Sequence, residues 1–206
     1  MGESSPFFFK QEGHEEGIGI ILFRMRKSLE EIRDEIVQVN TAAQKLCAGL
    51  TQEQLTWRPQ TGKWSIAENL VHLNLTTQIF LPSVDRTIET SDRNASVQGP
   101  FELGVLGRLF VWYVEPPPKI KAPAPKPIKP ILQGRALDAL PQFLRSQKAA
   151  VARVDAAEGL DCSRIKFRYP LSGLVKMNLI TFFAVMTGHQ RRHLAQAEKI
   201  RAEMKI

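Results

Sequence analysis

The sequence predicts an all-α protein: a four-helix bundle with a long crossover between the second and third helices, running up-down-down-up. Three observations predict it. Four segments repeat apolar residues at spacings of three and four, and three of them do so as a heptad-like seam. No segment alternates apolar and polar residues over a strand's length. About forty residues separate the second and third helical segments, far beyond the usual bundle connection. With 206 residues, 43% hydrophobic and 24% charged, the chain fits one domain spanning 1–206.

The elements follow in order. Residues 1–20 form an N-terminal extension without the basic-then-apolar order of a secretory signal, and Pro6 breaks the myristoylation pattern. No apolar run approaches the roughly 18 residues that span a bilayer, so a cytoplasmic location with no membrane association is expected. The first helix carries Leu22, Met25, Leu29, Ile32, Ile36, Val39, Ala43 and Leu46, and Gly49 closes it. The second carries Ile66, Leu70, Leu73, Thr77, Phe80 and Val84, and Ser65 with Glu68 three residues on makes a capping box at its start.

Residues 91–133 are the connector. Its apolar stretch "FELGVLGRLFVWYV" reads as a short extra helix, and "PPPKIKAPAPKPIKP" as an extended, polyproline-like strap. A connector this long implies a crossover, which makes helices two and three parallel. The third helix carries Leu137, Leu140, Leu144, Gln147, Val151 and Val154. The fourth carries Val175, Leu179, Phe182, Met186, His189, His193, Gln196 and Ile200.

Only four histidines occur, and two of them, His189 and His193, share the seam of the fourth helix one turn apart. Arg191 and Arg192 then point away, toward water. His14 lies in the polar extension, which leaves His72 as the third candidate. At 1.5 Å per residue, His72 lies about 12 Å from the start of helix two, and His189 and His193 about 22 and 28 Å along helix four. If those helices are antiparallel, as the crossover implies, His72 lies about 24 Å above the end where helix four begins, and the levels match. Three neutral imidazoles meeting in a core form a ligand set for Zn²⁺, Ni²⁺ or a similar ion, with a position left for a substrate atom. The plainer role is that of core histidines with hydrogen-bond partners, although each unpaired group would cost about 1–3 kcal/mol.

Other residues have weaker claims. Glu68, one turn before His72, is a candidate general base or outer ligand support, and its capping role already explains it. Gln196, one turn past His193, is a candidate partner for a ligand at the metal. Gly188 points to a close approach beside the site. Trp57, Trp64, Phe182 and Phe183 read as core, with walls of a pocket above the metal as the alternative, and Arg58 and Lys63 as solvated or as holding carboxylates of an acidic thiol. Cys47 reads as a core residue and Cys162, in "GLDCSR", as an exposed thiol; neither is given a catalytic role. A net charge of +7 and a pI near 9.6 permit anionic partners. The strap's lysines alternate with prolines and lack interleaved aromatics, so no nucleic-acid partner is expected.

The stretches "RPQTGKWSIAENLVHL" (58–73) and "HQRRHLAQ" (189–196) resemble the DinB/YfiT-like superfamily of proposed metalloenzymes. The resemblance covers roughly residues 28–88 and 135–204. It implies the crossover bundle and a metal triad at His72, His189 and His193. It further implies a small-molecule substrate, often a homodimer, and a reaction such as transfer to a low-molecular-weight thiol. A metal-dependent hydrolase and a non-enzymatic metal-binding or interaction bundle are the alternatives. The extension and the Pro-rich connector depart from the family pattern, so the substrate is not carried over.

Overall fold

The computed structural model describes residues 26–60, 62–93, 97–117, 123–173 and 175–204. The seam positions Leu22 and Met25, with His14, lie outside them. The bundle helices are α1 (Leu29–Cys47), α3 (Ile66–Glu89), α5 (Ala139–Ala156) and α6 (Leu179–Glu203). A short α2 (Gln52–Thr56) precedes α3, and the connector contains α4 (Val105–Val114), the extra helix expected from its apolar stretch. Two minimal antiparallel ladders complete the fold: β1 (Arg26–Lys27) on β2 (Phe101–Glu102), and β3 (Lys166–Arg168) on β4 (Lys176–Asn178). None of the helices among the described residues is long and apolar enough to cross a membrane.

The helix starts are written locally. Ser28, Thr51 and Ser65 each cap a helix with a reciprocal box to Glu31, Gln54 and Glu68. At the end of α1, Gly49 takes a φ of 73°, a left-handed conformation that Gly adopts without a Cβ penalty.

Side-chain pairs fix the helix directions. Asn74 donates to the Ala139 carbonyl at 3.4 Å and Arg153 forks onto Asp85 at 2.8 and 2.9 Å, so α3 and α5 run parallel. Asn69 faces His193 while Phe80 packs on Phe182, so α3 and α6 run antiparallel. Thr187 donates to Glu35 and Arg201 to the Lys45 carbonyl, which makes α1 and α6 parallel. Arg33 near the start of α1 meets Asp155 near the end of α5 at 2.5 Å. The order is up-down-down-up.

Two apolar clusters fill the bundle. One gathers Ile32, Ile36, Phe80, Val84, Val154, Phe182 and Met186, and the other Val39, Leu46, Leu70, Leu73, Phe143, Leu194 and Ile200. Between them, every helix contributes polar residues: Glu35 on α1, Thr76 and Thr77 on α3, Gln147 on α5, and Thr187 to His193 on α6. This polar layer holds the candidate site.

Two expectations need correction here. The third helix buries Ala139, Phe143, Gln147, Ala150 and Val154, while Leu137 is exposed and Leu140, Leu144 and Val151 are only half-buried. Small alanines let α5 approach α3 closely, and the leucines flank the contact. Cys162 is fully buried, and burial pushes its thiol up to about 12, so it is no exposed nucleophile. The Cys47 thiol, half-buried on α1, is likewise raised to about 11 by burial.

Connector helix α4 lies on α6, and glycines permit the approach at both ends. A Cβ on Gly188 would meet Val114 and Glu115 atoms at 3.0 Å, and one on Gly107 would meet Thr181 Oγ1 at 2.4 Å. Thr181 cannot yield easily, because it is fully buried and donates to the Leu103 carbonyl at 2.8 Å. On a bare helix Gly107→Ala would stabilise by about 1 kcal/mol. Here we expect a loss of about 1–3 kcal/mol in chemical denaturation, because overpacking outweighs propensity. A more stable variant would show that α4 does not seat this tightly.

Candidate metal centre

Three imidazoles from the two ends of the chain meet in the polar layer. His72 comes from the second turn of α3 and His189 and His193 from consecutive turns of α6. Their ring centroids lie 5.2, 4.5 and 4.6 Å apart, and one ligand atom from each falls within 4.8 Å of the others. His72 thus stands level with His189 and His193, as antiparallel α3 and α6 require.

Hydrogen bonds from outside set the tautomers of two rings. His72 Nδ1–H donates to the Ile128 carbonyl at 2.6 Å, so its Nε2 carries the lone pair. His193 Nδ1–H donates to Asn69 Oδ1 at 3.0 Å. The Asn69 amide is oriented in turn, because its nitrogen donates to the Ser65 carbonyl at 2.9 Å. This is the arrangement that directs the remaining ring nitrogen of a ligating histidine inward. His72 Nε2 and His189 Nε2 are 3.3 Å apart. A tetrahedral ion with metal–nitrogen bonds of about 2.0–2.1 Å holds its ligand atoms about 3.3–3.4 Å from one another. The donor set and this pair therefore fit a divalent ion.

Electrostatics keep the rings neutral and so able to donate lone pairs. Burial, then the neighbouring His72 and Arg192, push His189 down to about 3. Burial and the neighbouring His189, His72 and Arg192 hold His193 well below its ordinary value, and burial also lowers His72 against the opposing effect of the Ile128 bond. Trp64 stacks on the His193 ring at 5.6 Å and 21°, and lies 4.9 Å from His72, closing one side of the site.

The family model that matches this chain is that of the DinB superfamily, over residues 35–197. The chain belongs to the DinB superfamily. No curated protein matches it significantly. Superfamily membership and the clustered histidines together fit a metal-binding enzyme.

The other residues singled out in this DinB-superfamily chain divide. Glu68 makes its capping box and also takes a bidentate contact from Arg58 at 2.8 and 2.6 Å. Burial raises its carboxyl, but the Arg58 hydrogen bonds and the Ser65 N–H outweigh that and leave it lowered. Glu68 is thus an occupied anion, poorly suited to accept a proton, and Arg58 is engaged rather than waiting for a ligand carboxylate. Lys63 is exposed and Trp57 is 37% exposed, whereas Phe182 and Phe183 are core. Gln196 is half-buried and does not line the cavity beside His189; Gln190 does, paired with Gln147 through two amide bonds of 3.1 and 2.7 Å.

Arg191 corrects the sequence reading most clearly. It does not face water but is largely covered by α1 and the connector, pairing with Glu35 at 3.2 Å and with Glu115. Lys27 also pairs with Glu35. Arg192 donates to the Tyr113 carbonyl at 3.0 Å. These arginines clamp the end of α4 onto the helix that carries two of the histidines.

Asn69 and Ile128 are not marked as site residues by the sequence, whereas Trp64 takes the alternative of a wall beside the histidines. Asn69 had a faint signal, a polar residue one turn before His72 on a helix face that is otherwise apolar. Ile128 contributes only its backbone, which no sequence pattern marks. We expect Asn69→Ala to weaken metal affinity by about 10–100-fold, since the His193 ring loses its orientation. Competition with a chromogenic chelator measures this, and unchanged affinity would show that the amide does not support the ligand.

Proposed function

We propose that His72, His189 and His193 hold a divalent cation, Zn²⁺ or Ni²⁺, and that the protein is a metal-dependent enzyme acting on a small molecule with a low-molecular-weight thiol. The observation that carries this reading is the pair of Nε2 atoms at 3.3 Å, with Ile128 fixing the tautomer of His72. An ion at that point would supply Lewis acidity, lowering the pKa of a thiol or water beside it.

The chain's own residues do the remainder. Ile128 and Asn69 hold two imidazoles in the ligating tautomer. Trp64 and the apolar residues beside His189 limit water around the site. Activation of water is commonly assisted by a carboxylate base, yet Glu68 is tied to Arg58 and no carboxylate is among the described residues lining the cavity. That favours a thiol over hydrolysis.

The test is conjugation of an electrophile with glutathione, bacillithiol or mycothiol, with and without added metal. Metal-dependent turnover with one of them is expected. Turnover with none, alongside metal-dependent ester or amide cleavage, would replace this reading with the hydrolase. The homodimer belongs to the same proposal. Val105, Leu106 and Leu109 on α4 are 73%, 71% and 55% exposed and give it an apolar face. Light scattering decides it.

A further inference from the structure

We propose that the cavity beside His189 takes the reactive end of a small, uncharged, largely apolar substrate, and that the Tyr169 hydroxyl donates the hydrogen bond that orients its polar atom. The proposal deepens the functional reading above and rests on it for the word substrate.

The cavity has a volume of about 70 Å³ and lies between α3, α6, the end of α4 and the strap. A water needs about 10–15 Å³ measured in this way, so the space suits a group of about five or six non-hydrogen atoms. No Asp, Glu, Lys or Arg is among its described lining residues. A charged group entering it would lose hydration without a partner of opposite sign among those residues.

The polar lining consists of His189, Gln190, Thr76, Thr77 and Tyr169. Of the hydroxyl and amide groups among them, all but one are already engaged. Thr76 and Thr77 donate to the carbonyls of His72 and Leu73 at 2.7 and 2.9 Å. Gln190 gives one N–H to Gln147 and accepts one from it. The Tyr169 hydroxyl makes no hydrogen bond with any described residue.

Its position is nonetheless fixed. The Tyr169 N–H donates to the Val175 carbonyl at 3.0 Å, its carbonyl accepts from Ser172 N–H at 3.2 Å, and its ring packs on Phe80 at 4.9 Å. Burial raises its pKa, so the hydroxyl stays protonated and able to donate. A donor with no acceptor among the described residues, on a side chain that lines a cavity together with His189, suits a carbonyl oxygen on an apolar body.

The experiment titrates cyclopentanone, cyclopentane and isobutyrate into the wild type and Tyr169→Phe, following side-chain methyl signals of Leu73, Val185 and Met186 by NMR. Each titration is run before and after chelation, so that binding through an ion is separated from binding in the cavity. After chelation, Tyr169→Phe is expected to weaken cyclopentanone about fivefold, the scale of one neutral hydrogen bond. Cyclopentane should stay within about twofold, and isobutyrate should leave the cavity signals unmoved. An equal loss for ketone and hydrocarbon would mean a purely structural role. An unchanged ketone affinity, no binding of either neutral probe, or isobutyrate binding as well as the ketone, would also overturn the proposal. Elemental analysis of the same samples keeps the two readings apart. A metal-free wild type counts against the metalloenzyme and leaves the cavity result standing.

Discussion

Replacing His193 with alanine is expected to empty the metal site while leaving the bundle folded. Wild-type protein should carry close to one equivalent of Zn or Ni by elemental analysis, and His193→Ala close to none. Loss of an outer hydrogen bond to a ligating histidine already costs about 10–100-fold in affinity, so loss of the ligand itself should cost at least about 100-fold. The variant also leaves Asn69 Oδ1 without the imidazole N–H that it accepts, at 3.0 Å, in a fully buried position. That orphaned acceptor adds about 1–3 kcal/mol of destabilisation unrelated to the ion. Chelated wild type separates the two losses, because it gives up the metal and keeps the hydrogen bond. If metal is present at about 1,000 times its dissociation constant, chelation alone should remove about 4 kcal/mol. Metal content equal in variant and wild type would overturn the assignment of this residue.

Acid is expected to weaken the metal-free protein well above the pH at which carboxylates titrate. All three imidazoles have folded-state pKa values lowered by burial, His189 to about 3, while in the unfolded chain each returns to about 6.5. Between those values the unfolded state binds more protons than the folded one, so stability rises with pH there. The contribution is complete above about pH 6.5 and is lost progressively as pH falls toward 3. Each ring held neutral contributes a slope of up to about 1.4 kcal/mol per pH unit in that window. Urea unfolding of chelated protein at pH 7.5, 6.0 and 5.0 measures it. A profile flat across that range would mean that the imidazoles are not held neutral. Metal-loaded protein should fall more steeply, since protons compete with the ion for the same nitrogens.

Much of this site was legible because its main constraints are local or topological. The apolar spacing of Ile32, Ile36 and Val39, and of Leu70, Leu73 and Phe80, marks buried helix faces directly. The length of the connector dictated a crossover, the crossover made α3 and α6 antiparallel, and that placed His72 level with His189 and His193. The third helix was harder. Leucines drew the seam toward Leu140 and Leu144, but close packing chose the smaller Ala139 and Ala150. Propensity and hydropathy do not reveal how near a neighbouring helix will come.

Arg191 shows the other limit. On an uncovered α6 its face would meet water, and the seating of Glu35 and Glu115 there makes it a half-buried ion-pair residue. The Ile128 carbonyl that orients His72 lies 56 residues away in the chain and could have belonged to any residue of the strap. Sequence alone thus determined which side chains of α1 and α3 face inward, and at what height the histidines meet, because helix periodicity and rise are properties of the backbone. The tertiary structure decided which tautomers His72 and His193 adopt and what covers them, because both depend on how distant segments of the chain pack on α3 and α6.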